Sequence, residues 1–246
     1  SEPFPTVSVA RPDIIDRNGT LLATDVRMAS LYAEPRRMVD VDEAVEKLVS
    51  VLPDLSFEET HSKLQAKSGF VWLKRQLTPA QQQTVMSLGI PGLGFRPEIK
   101  RLYPAGDQTS HILGVTNIDN RGLSGMEKWI DGQGLVDLQQ AGLGGKNAFA
   151  PVQLSIDGRV QNVVHDELTK AMTTYQATAA GGVILNAKTG EVLSMVSLPD
   201  YDPNNPAEAL QKDRLNRMAA GTSEMGSTIK TFTTAMAIEI GGAGLK

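Results

Sequence analysis

The chain has 246 residues, with 24 lysines and arginines against 28 aspartates and glutamates, for a net charge of −4. Its basic residues are scattered, so there is no electrostatic footprint for nucleic acid; 41% hydrophobic and 21% charged residues fit a globular protein of one large domain or two smaller ones. The absence of cysteine excludes disulfides and thiolate metal sites, and no apolar run approaches the roughly 20 residues that span a bilayer.

The opening residues Ser1-Glu2-Pro3-Phe4-Pro5 carry neither an initiator methionine nor a signal peptide, which reads as a piece cut from a longer chain. Next, Asp16-Arg17-Asn18-Gly19 between apolar pairs predicts a tight hairpin, and Leu31-Tyr32-Ala33 a strand. Asp40 is placed to cap a helix with Val41, Ala44, Val45, Leu48 and Val49 on one face. Ser56 to Glu59 offers a capping box for a second helix through Leu64. Phe70 to Leu73 reads as a strand, Thr78-Pro79 opens a third helix, and Phe95 to Leu102 is extended.

Residues 132–151 are glycine-rich and hold little that could form a core, so they are expected to be a linker or a mobile hairpin. Gly142-Leu143-Gly144-Gly145-Lys146 is no phosphate loop, because Asn147 stands where a Ser/Thr should hold magnesium. Beyond it, Asp157 is placed to cap a helix carrying Val160, Val163, Val164, Leu168, Ala171, Met172 and Tyr175 at spacings of three and four. Two β-rich runs, Gly182 to Leu185 and Glu191 to Val196, then read as a hairpin. His61, His111 and His165 have no second ligand at metal spacing and are read as structural; no metal or cofactor is expected.

Gly226-Ser227-Thr228-Ile229-Lys230 contains the chain's only Ser-x-x-Lys. At that spacing on a helix, a hydroxyl nucleophile and an amine share one face. A serine hydroxyl is a weak nucleophile until something nearby takes its proton. Lys230 can act only if burial or neighbouring positive charge lowers its affinity for the proton. The run after it, with Phe232, Met236 and Ile238, is expected to supply a buried stripe and that environment. A capping serine followed by a surface lysine is the bland alternative.

The order of several motifs resembles a class B penicillin-binding protein. Ile15-Asp16-Arg17-Asn18-Gly19 with Leu22-Ala23 is similar to the family's first N-terminal motif, although Pro12 stands where many members have glycine. Arg101-x-Tyr103-Pro104-x-Gly106 with His111-x-x-Gly114 resembles the second, and Gly122 to Glu127 the third. Leu154 to Asp157, Ala187 to Leu193, Tyr201-Asp202-Pro203-Asn204 and Asn216-Arg217 follow in family order before Ser227. Ser-x-x-Lys is itself a signature of these proteins. Met225 replaces a proline common before Gly-Ser, and Ile229 a frequent Phe or Met.

The resemblance implies an α+β chain in two parts: a non-catalytic pedestal over residues 1–150 and the start of a transpeptidase domain over 151–246. It implies that Ser227 is the nucleophile and Lys230 the general base of a peptidoglycan D,D-transpeptidase acting on D-Ala-D-Ala stem peptides and acylated by β-lactams. The wording of the motifs resembles the septal, division-specific branch; the alternatives are an elongation-specific enzyme and an interaction module. Implied partners are other cell-division or cell-wall synthesis membrane proteins, and the implied place is the periplasmic side of the bacterial inner membrane, behind an N-terminal anchor helix. The family also needs Ser-x-Asn and Lys-Thr/Ser-Gly after the nucleophile. Lys188-Thr189-Gly190 spells the latter but precedes Ser227, so it is read as a decoy and the 246 residues alone as inactive.

Overall fold

The computed structural model describes residues 10–134, 150–222 and 224–241. Most of the expected linker, including Gly142 to Lys146, lies outside them. The organising strand is β2 (Leu21–Ala33), preceded by the short β1 (Ile14–Ile15). The hairpin turn between them closes as expected: Asp16 N–H donates to Thr20 O at 2.9 Å, and Gly19 takes φ +84°, which a residue with a Cβ resists. However, β2 does not break between the hairpin arm and Leu31. It pairs antiparallel with β4 (Leu93–Leu102) from Thr24↔Leu102 to Ala33↔Leu93, and this unbroken ladder carries the polar middle of β2 through as strand.

The other edge of β2 is shared. β1 pairs with its start, and β3 (Val71–Leu77) with its end, at Ala29↔Leu77 through Ala33↔Val71. β5 (Val152–Gln153) runs parallel to β1 and brings the chain back after the linker. Ala29, Leu31 and Ala33, two residues apart, face one side of the sheet and are buried. Three helices cover that side: α1 (Val41–Val51), α2 (Phe57–Gln65) and α3 (Pro79–Ser87), contributing Ala44, Val45, Leu48, Leu64 and Val85 to one core.

Their starts follow the sequence with one correction. The Asp40 carboxylate accepts from Glu43 N–H at 3.0 Å. At Ser56 only half of the expected box forms, Glu59 N–H donating to the serine hydroxyl. The reciprocal box is at Thr78 and Gln81, where each side chain accepts from the other's N–H.

A second core holds Ile14, Leu22, Ala23, Tyr103, Leu113 and Ile130. It is closed by α4 (Ser110–Leu113) and α5 (Gly125–Gly132), neither of which the periodicity predicted. The third unit is α6 (Gly158–Tyr175) packed on the hairpin of β6 (Ala180–Leu185) and β7 (Val192–Leu198). Lys188-Thr189-Gly190 lies in its turn, where Gly190 N–H donates to Asn186 O. The expected apolar stripe of α6 is only partly realised: Val163 is 59% exposed, whereas Gln161 is buried. Last comes α7 (Lys230–Glu239). No helix of the described residues is long and apolar enough to cross a membrane.

Candidate functional site

Ser227 lies in the 3-10 turn Gly226–Ile229, and Lys230 is the first residue of α7, so the tetrad straddles a helix start as expected. Gly226 has φ +52°, which lets the chain turn sharply into it. One further expectation is corrected. Ser227 and Lys230 are both exposed, and so is the stripe meant to enclose the lysine: Phe232 is 67% and Met236 55% exposed. Among the described elements, α7 packs chiefly against the turn that leads into it, so these residues do not supply the burial that Lys230 needs.

The segment leading to Ser227 is anchored by amide side chains that read backbone groups of the N-terminal part. Asn204 accepts from Tyr103 N–H at 3.0 Å and donates to Tyr103 O at 3.1 Å. The Tyr201 hydroxyl donates to Ser110 O, and the Asn216 amide donates to His111 O. Arg217 N–H donates to the Ser197 hydroxyl on β7. Gln161 does the same from α6, donating to Gln108 O and Met195 O and accepting from Met195 N–H and the Ser194 hydroxyl. A glutamine on a helix face otherwise read as apolar was the one sequence signal of this contact.

Beneath these anchors Arg101 of the second motif and Glu127 of the third converge with Arg11 and Asp25, which flank the first, on a buried charge network. Glu127 accepts from Arg11 Nε at 2.8 Å on one carboxylate oxygen and from Arg101 Nε at 2.7 Å on the other, and all three side chains are buried. Arg11 also meets Asp131 at 2.5 Å and donates to Asn120 O; Arg101 meets Asp25 at 3.1 Å and donates to Pro12 O. Burial favours the neutral form of Arg101, but Glu127 and Asp25 more than reverse this and hold its pKa above the ordinary value. Burial raises the Asp25 carboxyl despite Arg101 beside it. Sequence reasoning named Arg101 and Glu127 only as motif letters; their pairing across 26 residues, and with Arg11 across 116, carries no local signal.

The histidines have separate partners: His61 with Asp42, His111 with Pro199 O, and His165 with Asp200. His111 has its pKa lowered chiefly by burial.

A mixed sheet under three helices, joined to a helix-on-hairpin unit that ends in a Ser-x-x-Lys helix start, defines a two-part α+β protein. This architecture resembles penicillin-binding protein 2X of Streptococcus thermophilus, with a TM-score of 0.60 at 21% identity over 97% of this chain and 42% of that one. It also resembles a peptidoglycan synthetase of Bifidobacterium adolescentis, with a TM-score of 0.61 at 18% identity over 98% of this chain and 52% of that one. At such identities the likeness establishes the fold. Residues 6–171 match the penicillin-binding protein dimerisation domain and residues 180–243 the penicillin-binding protein transpeptidase domain. The chain belongs to the penicillin-binding protein family.

Curated relatives include the "Probable peptidoglycan D,D-transpeptidase FtsI" of Caulobacter vibrioides, 38% identical over 96% of this chain and 39% of its own length. The "Probable peptidoglycan D,D-transpeptidase PenA" of Neisseria meningitidis is 35% identical over 98% and 45%, and the "Peptidoglycan D,D-transpeptidase FtsI" of Escherichia coli 31% identical over 96% and 43%. The chain thus spans about two fifths of the length of the curated relatives it matches.

Proposed function

We propose that these residues form the pedestal and the nucleophile-bearing start of a peptidoglycan D,D-transpeptidase of the division-specific type. The observation that carries the reading is Ser227 and Lys230, one turn apart at a helix start inside the stretch that matches the transpeptidase domain. The Ser227 hydroxyl attacks the carbonyl of the penultimate D-alanine of a stem peptide. The new ester bond forms as the bond to the terminal D-alanine breaks, and Lys230 passes the serine proton to the departing amine. An amine of a neighbouring strand then attacks the ester, releases Ser227 and completes the cross-link. The backbone N–H groups at the start of α7 lie beside Ser227, where the dipole favours a developing oxyanion.

β-Lactams acylate the same serine in this reading. Residues 1–150 act as a pedestal below the catalytic domain, which starts near 151, on the periplasmic side of the inner membrane. Their exposed Val39, Phe57 and Met86 offer apolar contacts to other cell-wall synthesis proteins. No Ser-x-Asn and no Lys-Thr/Ser-Gly follows Ser227 in this sequence, and Lys230 gains no cover from the described residues, so the 246 residues alone are expected to be inactive. The test is release of D-alanine from a D-Ala-D-Ala stem peptide by the full-length gene product. Release that survives Ser227→Ala would remove the serine from the mechanism.

A further inference from the structure

Outside the Ser227 region, three side chains converge from stretches far apart in the sequence. Asp107 lies in the 3-10 turn Gly106–Thr109 after β4, His165 is on α6, and Asp200 follows β7. One ligand atom from each lies within 4.8 Å of the other two. His165 Nε2 is 2.7 Å from an Asp200 oxygen, and its side chain is 14% exposed, so the imidazole is already oriented. The other ring nitrogen, Nδ1, is buried with no hydrogen-bond partner among the described residues, the nearest acidic group being Asp166 at 3.7 Å.

The charges around the ring are one-sided. Asp200, Asp107 and Asp166 act on His165, and Asp200 and Asp202 act on Asp107. Three carboxylates around one imidazole are an unbalanced arrangement that a divalent cation neutralises better than a single proton. An ion about 2.0–2.1 Å from each ligand sets neighbouring ligand atoms about 3.4 Å apart, between the 2.7 Å of the His165–Asp200 pair and the 4.8 Å outer limit of the trio. A nitrogen ligand beside two carboxylates suits zinc and its first-row neighbours rather than magnesium or calcium, which take oxygen alone.

We propose that Asp107, His165 and Asp200 bind a divalent transition-metal ion of the zinc class, with water in the remaining position. The ion fastens the turn after β4 to α6 and to the segment after β7, and so ties the dimerisation-type part to the start of the transpeptidase part. The proposal is independent of the acyl-transfer reading, because none of the three residues belongs to the Ser-x-x-Lys tetrad.

The test is calorimetric titration of EDTA-treated protein with zinc near neutral pH, paired with thermal unfolding in zinc and in EDTA. The variants are Asp107→Asn, His165→Gln and, as a surface control, His61→Gln. One equivalent of zinc is expected to bind and to raise the melting temperature. Asp107→Asn and His165→Gln should each weaken binding by about tenfold or more, while His61→Gln leaves it unchanged. Asp107 is exposed, so its variant folds even if the His165 variant does not. No zinc binding, equal binding by Asp107→Asn, or stability that follows pH identically in zinc and in EDTA would overturn the site and leave a protonated His165 paired with Asp200.

Discussion

Replacing Glu127 tests whether the three N-terminal motifs are held by charge. Its carboxylate is the shared partner of two guanidiniums, Arg11 and Arg101, whose side chains are 0% and 1% exposed. Glu127→Ala removes two charge-assisted hydrogen bonds and leaves both cations in a desolvated site. Each such bond contributes about 1.5–3 kcal/mol, and breaking a buried pair costs about 3–5 kcal/mol. Asp131 and Asp25 remain as second partners, together with the carbonyls of Asn120 and Pro12, which places the loss at the lower end.

The expected destabilisation is about 3 kcal/mol, or about 6–12 °C in melting temperature for a chain of this size. Glu127→Gln keeps the shape and one acceptor, so about half of that loss is expected. Urea unfolding followed by the fluorescence of Trp129, two residues away on the same helix, measures it. Glu58→Ala on the solvent face of α2 is the control, expected within about 0.5 kcal/mol of the parent. A loss below about 1 kcal/mol for Glu127→Ala, or one equal to the control's, would show that packing alone holds the motifs together.

Asn204→Ala should open the clamp on Tyr103, and hydrogen exchange at the Tyr103 amide should rise about tenfold; unchanged exchange would mean that the clamp bears no load. At Gly114, φ is +76° and a Cβ would collide with the backbone carbonyl of Ser124, so Gly114→Ala is expected to cost about 3 kcal/mol in a thermal melt. A parent-like melt would show that this turn relaxes. Burial pushes the Asp16 carboxyl up, but backbone N–H groups of Gly158, Thr20 and Asn18 outweigh it and hold the pKa below the ordinary value. Its contribution is therefore present above the unfolded-state pKa of about 3.9 and lost as pH falls through the folded value. The stability gap between parent and Asp16→Asn should be constant near neutral pH and narrow in acid; a gap that widens in acid would contradict the sign.

Much of the first core could be read in advance because its signals are local. The Asp40 cap, the Thr78-Pro79 start and the 3.6-residue spacing of Ala44, Val45 and Leu48 each act within one helix. The unbroken β2 was not legible, since its polar middle becomes strand through pairing with β4 some seventy residues later. Likewise the Glu127 network and the Asp107, His165 and Asp200 cluster exist only once distant segments meet. At the candidate site the tetrad and its helix start were visible as a pattern. The described residues do not supply the expected cover over Lys230, because an apolar stripe indicates what a helix can bury, not what is present to bury it.

The most direct test of the central claim is the intact mass of the full-length gene product after incubation with penicillin, for the parent, Ser227→Ala and Lys230→Met. A single adduct on the parent, absent from a folded Ser227→Ala variant and formed at least about a hundredfold more slowly by Lys230→Met, is the predicted result. An adduct that persists in Ser227→Ala, or none on a well-folded parent, would contradict it.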